Sequence, residues 1–365
     1  MIMPMATTTA PTGPTLTHIA TTSRLVVKFG SITIVSLIIG RMMLTSFVAW
    51  WKATHPPPPP PPTVGFGVLP KLTVPQQSDS GKPVSYKLET ASGTTPDFGD
   101  RAKVFLVLHP APSLLADQNA KNIASKFGFV FEPDKLPNKL YRFSKTQPLQ
   151  SKFQLNIVSN HFSIESDYLS HPELLAEPKL PTNFEAVTQV KELLKKVELL
   201  GPDMATSSGE VVYLKSLGDE LTPAVSPSDA DYIQVDLNRT PIDGRFRMYT
   251  PTGFEGIVSA ILTGSLTGTD NILEIKSGYN LIDYTQVHTY PIRTSQAAWQ
   301  LLKAGEGYII EPGESETAVI REVSMGYYDS PDDQEYLQPI FVFYNPEDGF
   351  LAYVPAIDPK YTQTE

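Results

Sequence analysis

The chain has 365 residues, a formal net charge of −10, 34 prolines and no cysteine. The lack of cysteine excludes disulfides, thiol catalysis and cysteine-ligated metal. The acidic balance argues against a nucleic-acid partner, because phosphate binding draws on clustered Lys and Arg.

The charge is unevenly divided. Residues 1–62 hold four of the 29 Lys/Arg and none of the 39 Asp/Glu, so this part carries +4 and the rest −14. Residues 1–23, rich in Thr, Pro and Ala, read as a disordered cytoplasmic tail. An apolar run, Phe29–Trp51, follows within a predicted transmembrane helix over 24–52. At about 1.5 Å per residue it reaches roughly 35 Å, enough to cross a bilayer with some tilt. Trp50 and Trp51 stand at one end, where amphipathic rings favour the interface. Small residues at a signal-cleavage spacing are not evident after the run, so it reads as an uncleaved anchor. Arg24 and Lys28 precede it and Lys52 alone follows closely, which places the N-terminus in the cytoplasm and the rest outside the cell membrane.

Three residues of this helix are candidate contacts. Ser36 and Gly40 have the small-xxx-small spacing that lets a partner helix approach closely. Arg41 falls near mid-membrane, where a charge costs about 2.5–3.5 kcal/mol on insertion scales, so a polar group on a partner would stabilise it.

Residues 53–100 read as a proline-rich stalk and linker. Pro56–Pro62 in polyproline II would span about 22 Å. Helices are then predicted over Leu114–Phe127, from a capping box at Thr182 and Glu185 to Gly201-Pro202, and from Thr294-Ser295 to Gly305. Short β-branched and aromatic runs between them, such as Phe153–Val158, Tyr232–Leu237 and Pro339–Tyr344, predict strands. Asn345 to Gly349 reads as a hairpin loop. Many strands without βαβ alternation predict an α+β fold with antiparallel sheets, in two units over 101–205 and 206–358, with a short tail at 359–365.

The stretch from about 230 to 357 carries a set of turn and strand-end signals. They are Tyr232–Arg239 (YIQVDLNR) with Pro241-Ile-Asp-Gly244, then Tyr290–Ala298 (YPIRTSQAA), Gly326-Tyr-Tyr-Asp329, Tyr336–Phe343 (YLQPIFVF) and Ala352–Ala356 (AYVPA). This arrangement resembles the YycH/YycI-like extracytoplasmic domains, related to PepSY-type modules, of bacterial single-pass membrane proteins. The resemblance implies a cytoplasmic tail, one membrane helix and an outer domain that acts through protein contacts, restraining a sensor kinase of the cell envelope. The proline stalk and the 101–205 unit depart from that pattern.

Motifs of catalysis or cofactor binding (His-Glu-x-x-His, Gly-x-Ser-x-Gly, phosphate or dinucleotide loops) do not occur in the sequence. His161 and His171 lie ten residues apart among acids and read as surface residues. Asp329, Asp332, Asp333 and Glu335 form an acidic loop without EF-hand spacing, closer to a solvated turn than a calcium site. Gly264–Gly268 reads as a strand turn, and Tyr327, Tyr328 and Tyr336 as strand aromatics that pack. The expectation is a non-enzymatic, cofactor-free protein, held in the bilayer, that binds another envelope or membrane protein. The alternative is an envelope structural or surface-binding protein, and a hydrolase ranks behind both.

Overall fold

The computed structural model describes residues 16–55, 60–75, 83–175 and 179–363. They form two compact units, residues 1–61 and 62–365.

The first unit is built around helix α1 (Leu16–Thr54). From Ala20 to Thr54 it is long and apolar enough to cross a membrane, and it buries nothing against the chain. Its hydroxyls turn back onto their own backbone, as Thr33 Oγ1 does to the Phe29 carbonyl at 2.8 Å. The helix stops just before His55-Pro56, since a residue preceding proline avoids helical backbone. Two expectations are corrected here. The helix exceeds 24–52 at both ends, and residues 16–23 of the expected disordered tail are helical. Residues 1–15 and Pro56–Pro59 lie outside the described residues.

In the second unit the elements run β1 (Ser85–Leu88), β2 (Arg101–Leu108), α2 (Ala116–Lys126), β3 (Asp134–Lys135), β4 (Leu140–Lys145), β5 (Ser151–Asn156) and β6 (Phe162–Ser166). Then come α3 (Asn183–Lys196), α4 (Pro202–Ala205), β7 (Glu210–Leu217), β8 (Glu220–Pro223), β9 (Tyr232–Leu237), β10 (Met248–Tyr249), β11 (Val258–Leu262), β12 (Ile272–Ser277) and β13 (Leu281–Pro291). The chain closes with α5 (Ser295–Lys303), β14 (Tyr308–Glu311), β15 (Thr317–Ile320), β16 (Glu322–Tyr328), β17 (Tyr336–Tyr344) and β18 (Leu351–Pro355).

Nine strands form one sheet in the order β3-β4-β5-β6-β12-β11-β9-β7-β8. Seven form a second, where β10-β16-β17-β18-β14 is extended by β2 pairing with β17 and β13 pairing with β2. The α+β class with mostly antiparallel pairing is therefore observed, with two short parallel exceptions at β1–β15 and β10–β16.

The expected division at 205/206 is not where the sheets divide. β6, from the first stretch, pairs with β12 from the second through Ile164↔Ile275 and Glu165↔Glu274. β2 likewise joins β13 and β17. Each stretch alone leaves open edges, and pairing across the boundary satisfies their backbone groups.

Local signals explain the helices. Thr182 and Glu185 form the capping box that opens α3, and Ala186, Val190 and Leu194 are buried along its inner stripe. Gly201-Pro202 does not end that helix, as the spacing predicts. α3 stops at Lys196, and Gly201 and Pro202 begin α4. α2 and α3 cover one face of the nine-stranded sheet, where Ala124, Phe127, Val190 and Leu194 meet Phe153, Ile164, Val235 and Ala260. α5 covers one face of the other sheet, placing Trp299 and Leu302 against Phe341, Phe343 and Val354.

The stretch expected to be linker is largely docked. Leu69, Leu72 and Val74 are buried, and β1 pairs with β15. The Val64 amide donates to the Thr289 carbonyl at 3.0 Å. Residues 359–363, expected as a tail, are held too: Leu69 bridges Thr362, and the Gln363 amide donates to the Leu69 carbonyl at 2.8 Å.

Candidate functional site

Where the two sheets meet, the second unit buries an arginine. β9 is buried along most of its length and delivers Arg239 just past its end, with no exposed surface on the side chain. Asp203 comes from α4 and Asp329 from the residue after β16. Arg239 Nε donates to Asp329 Oδ2 at 2.7 Å, and Nη2 donates to Asp329 Oδ1 at 3.2 Å and to the Asn280 carbonyl at 2.5 Å. Nη1 donates to Asp203 Oδ2 at 2.8 Å. The hydroxyls of Tyr279 and Tyr284 donate to Asp203 at 2.7 and 2.6 Å. The Tyr279 ring lies 4.2 Å from the guanidinium centre, a cation–π contact.

Backbone geometry prepares this node. A Cβ on Gly201 would stand 2.2 Å from the Tyr279 ring, so only glycine lets that ring close over the junction. Three residues of β13, 284–286, fall outside its pairing with β2, and they carry Tyr284 toward Asp203.

The electrostatics follow from burial and partners. Burial opposes the charge on Arg239, but Asp329 and Asp203 outweigh it and hold the guanidinium more firmly protonated than usual. Burial alone would raise Asp203. The Arg239 charge, with hydrogen bonds from Tyr284, Arg239 and Tyr279, reverses that and keeps its carboxyl below the usual range. Burial raises Tyr279 and Tyr284, so both phenols stay neutral donors. With its carboxylates committed to Arg239 and the tyrosines, the node is a clamp between sheets.

Two clefts flank it. One, of about 540 Å³, is lined by Leu108, His109, Leu199, Leu200, Tyr279 and Leu281. The other, of about 480 Å³, has a largely apolar lining that includes Leu140, Phe162 and Ile257, with Gln154, Ser163 and Lys276 among its polar side chains. His161 Nε2 lies 2.9 Å from Asn280 Oδ1, whose amide donates in turn to the Ser330 carbonyl at 3.1 Å. Burial lowers the His161 pKa, so the ring is neutral near pH 7 and Nε2 carries the proton.

Asp236 is a second buried acid of opposite character. Burial raises its pKa despite hydrogen bonds from the Gly256 amide, Ser259 and Gln234. A raised folded-state value contributes stability below the unfolded value, near 3.9, that is lost as pH rises through the folded value. A lowered one, as at Asp203, contributes above that value and is lost on acidification. Asp236→Asn is therefore expected to leave the urea midpoint at pH 7 unchanged or higher, and to flatten its decline between about pH 4 and pH 7. Asp203→Asn is expected to lower it, and urea titrations across that range check both.

The residues singled out in the sequence are scattered. On α1, Ser36 and Gly40 lie one turn apart, but at about 100° per residue Arg41 points roughly 100° from Gly40 and 140° from Ser36, so the three do not share one face. His161 and His171 have separate partners, the latter Glu173 at 2.6 Å. In the acidic loop, Asp329 is taken by Arg239 and Asp333 lies 3.3 Å from His109. Among the described residues no three His or acid side chains converge as a metal site. Tyr327 and Tyr328 are buried, and Tyr336 packs with Phe66 at 4.8 Å between ring centroids. The stretch 253–268 contains β11 between two turns. Sequence reasoning missed Arg239, Asp203, Tyr279 and Tyr284. The available signal was a cation two residues past the end of the strand Tyr232–Leu237.

No family model matches the chain, and no curated protein matches it. Among solved structures, an uncharacterized protein from Eubacterium rectale ATCC 33656 is similar at 13% identity and a TM-score of 0.33, over 71% of this chain and 84% of that one. So weak a likeness carries no argument about this chain.

Proposed function

We propose that this is a single-pass membrane protein, N-terminus in the cytoplasm, whose extracytoplasmic α+β domain binds another envelope or membrane protein. The observation that carries this is α1, a 39-residue helix whose apolar, membrane-length stretch within Ala20–Thr54 is unburied, in a chain whose second compact unit is rich in sheet. Arg24 and Lys28 ahead of the helix, against Lys52 alone close behind it, support the orientation. The resemblance to YycH/YycI-like domains supports a role in regulating a sensor.

Protease added to intact cells should degrade the part after Pro62 and spare a fragment containing α1. Full protection of the domain overturns the orientation, and release by alkaline carbonate overturns the anchor.

A second reading, binding of an envelope surface polymer, has one observation in its favour. Strand register sets Gln154, Ser163, Lys276 and Ser259 side by side across four strands of the nine-stranded sheet, as a polar row along one wall of the 480 Å³ cleft. Retention of the protein on isolated cell wall supports this reading, whereas a stoichiometric membrane partner supports the first.

A further inference from the structure

Resting on the membrane-anchor reading, we propose that α1 pairs inside the bilayer with a transmembrane helix of a different protein, one carrying an Asp or Glu at the depth of Arg41. Depth is the first argument. Trp50 lies nine residues beyond Arg41, about 14 Å along the helix, and Lys28 lies thirteen before it, about 20 Å. Lys28 and Trp50 are thus about 33 Å apart, matching a hydrocarbon core of about 30 Å with interfacial residues at both edges. Arg41 sits well inside, farther from either edge than its side chain extends.

Its own helix offers no compensation. α1 contains no acidic residue, and the nearby Thr45 hydroxyl turns to the carbonyls of Arg41 and Met42, at 3.0 and 2.9 Å, rather than to the guanidinium. A buried cation is accommodated by a carboxylate or by water, and intramembrane charges face partners rather than lipid.

Helical geometry supplies the surface. Gly30, Ile34, Leu37, Arg41, Thr45 and Val48 fall within about 40° of one line along the helix, whereas the opposite line carries Ile32, Ile39, Met43 and Trp50. The arginine therefore marks one side, with Gly30 on it open to close approach. A symmetric parallel pair of α1 helices through this side would set two arginines against each other, which charge repulsion disfavours. Charge complementarity selects a different chain with an acid in its span.

Because the chain has no cysteine, one introduced cysteine carries a probe at a chosen place. The full-length Thr54→Cys protein, labelled with a donor fluorophore in liposomes, is titrated with acceptor-labelled poly-leucine transmembrane peptides bearing Glu, Gln or Leu at the centre. The Glu peptide is expected to associate about tenfold more tightly than the Leu peptide. Arg41→Leu removes that preference and Arg41→Lys keeps it. In native membranes, a benzophenone on Thr45→Cys is expected to give a heteromeric adduct that Ile39→Cys does not give and that Arg41→Leu abolishes. Equal association of the Glu and Leu peptides, an Arg41→Leu chain that still prefers Glu, or equal adducts from both sides overturns the proposal while leaving the anchor standing. Extraction of the wild-type chain from liposomes by alkaline carbonate overturns the anchor reading along with it.

Discussion

Arg239→Met is expected to destabilise the 62–365 unit by about 3–5 kcal/mol, because it leaves two buried carboxylates facing each other without their cation. Asp203 and Asp329 both reach the guanidinium, at 2.8 and 2.7 Å, and neither can recover solvent without opening the junction between sheets. The triple variant Arg239→Met, Asp203→Asn, Asp329→Asn should recover part of the loss, since neutral partners no longer need a counter-charge. Urea unfolding followed through Trp299, a buried residue and the sole tryptophan after position 51, measures both. A single variant within about 1 kcal/mol of wild type would show that the node does not hold the sheets.

Phe153→Ala should cost a comparable amount, about 3–5 kcal/mol, by a different mechanism. Phe153 is completely buried at the centre of β5. Phe127, Phe129, Phe143 and Phe162 surround it, with ring centroids at 5.3, 5.5, 5.6 and 6.0 Å. These rings come from the end of α2, the loop after it and two neighbouring strands. Collapse into the cavity would require all of them to move, so little of it can be filled. Phe153→Leu retains most of the volume and should lose roughly half as much. The same urea titration decides this, and a loss below about 1 kcal/mol for the alanine variant would mean that the cluster repacks freely.

The two variants also separate kinds of information in the chain. The apolar spacing of Phe153 and Leu155 predicts a strand with one buried face, and β5 is one. Nothing local indicates that Arg239 will be buried, because its partners stand 36 residues before it and 90 after. The capping box at Thr182, strand Tyr232–Leu237 and the Asn345–Gly349 hairpin loop were legible for the same reason that β5 was. In that loop the Gly349 amide donates to the Asn345 carbonyl at 3.0 Å and Gly349 takes the left-handed backbone that its type permits. β13 was missed as a strand because its register shift breaks the alternation that marks one. β1 was missed because its order comes from distant partners, pairing with β15 more than two hundred residues away and packing Tyr86 against Trp299 and Phe350.

The amino-acid sequence by itself determined the apolar helix, the charge boundary at the proline run, the α+β class and most helix and strand cores. Each depends on residues within a few turns or alternations of one another. Only the tertiary structure decided that the supposed linker and tail are docked, that strands from both halves interleave in shared sheets, and that Arg239 closes the junction. Those outcomes depend on which distant edges satisfy each other's backbone groups and which distant charges meet out of water, and neither quantity is encoded in local periodicity.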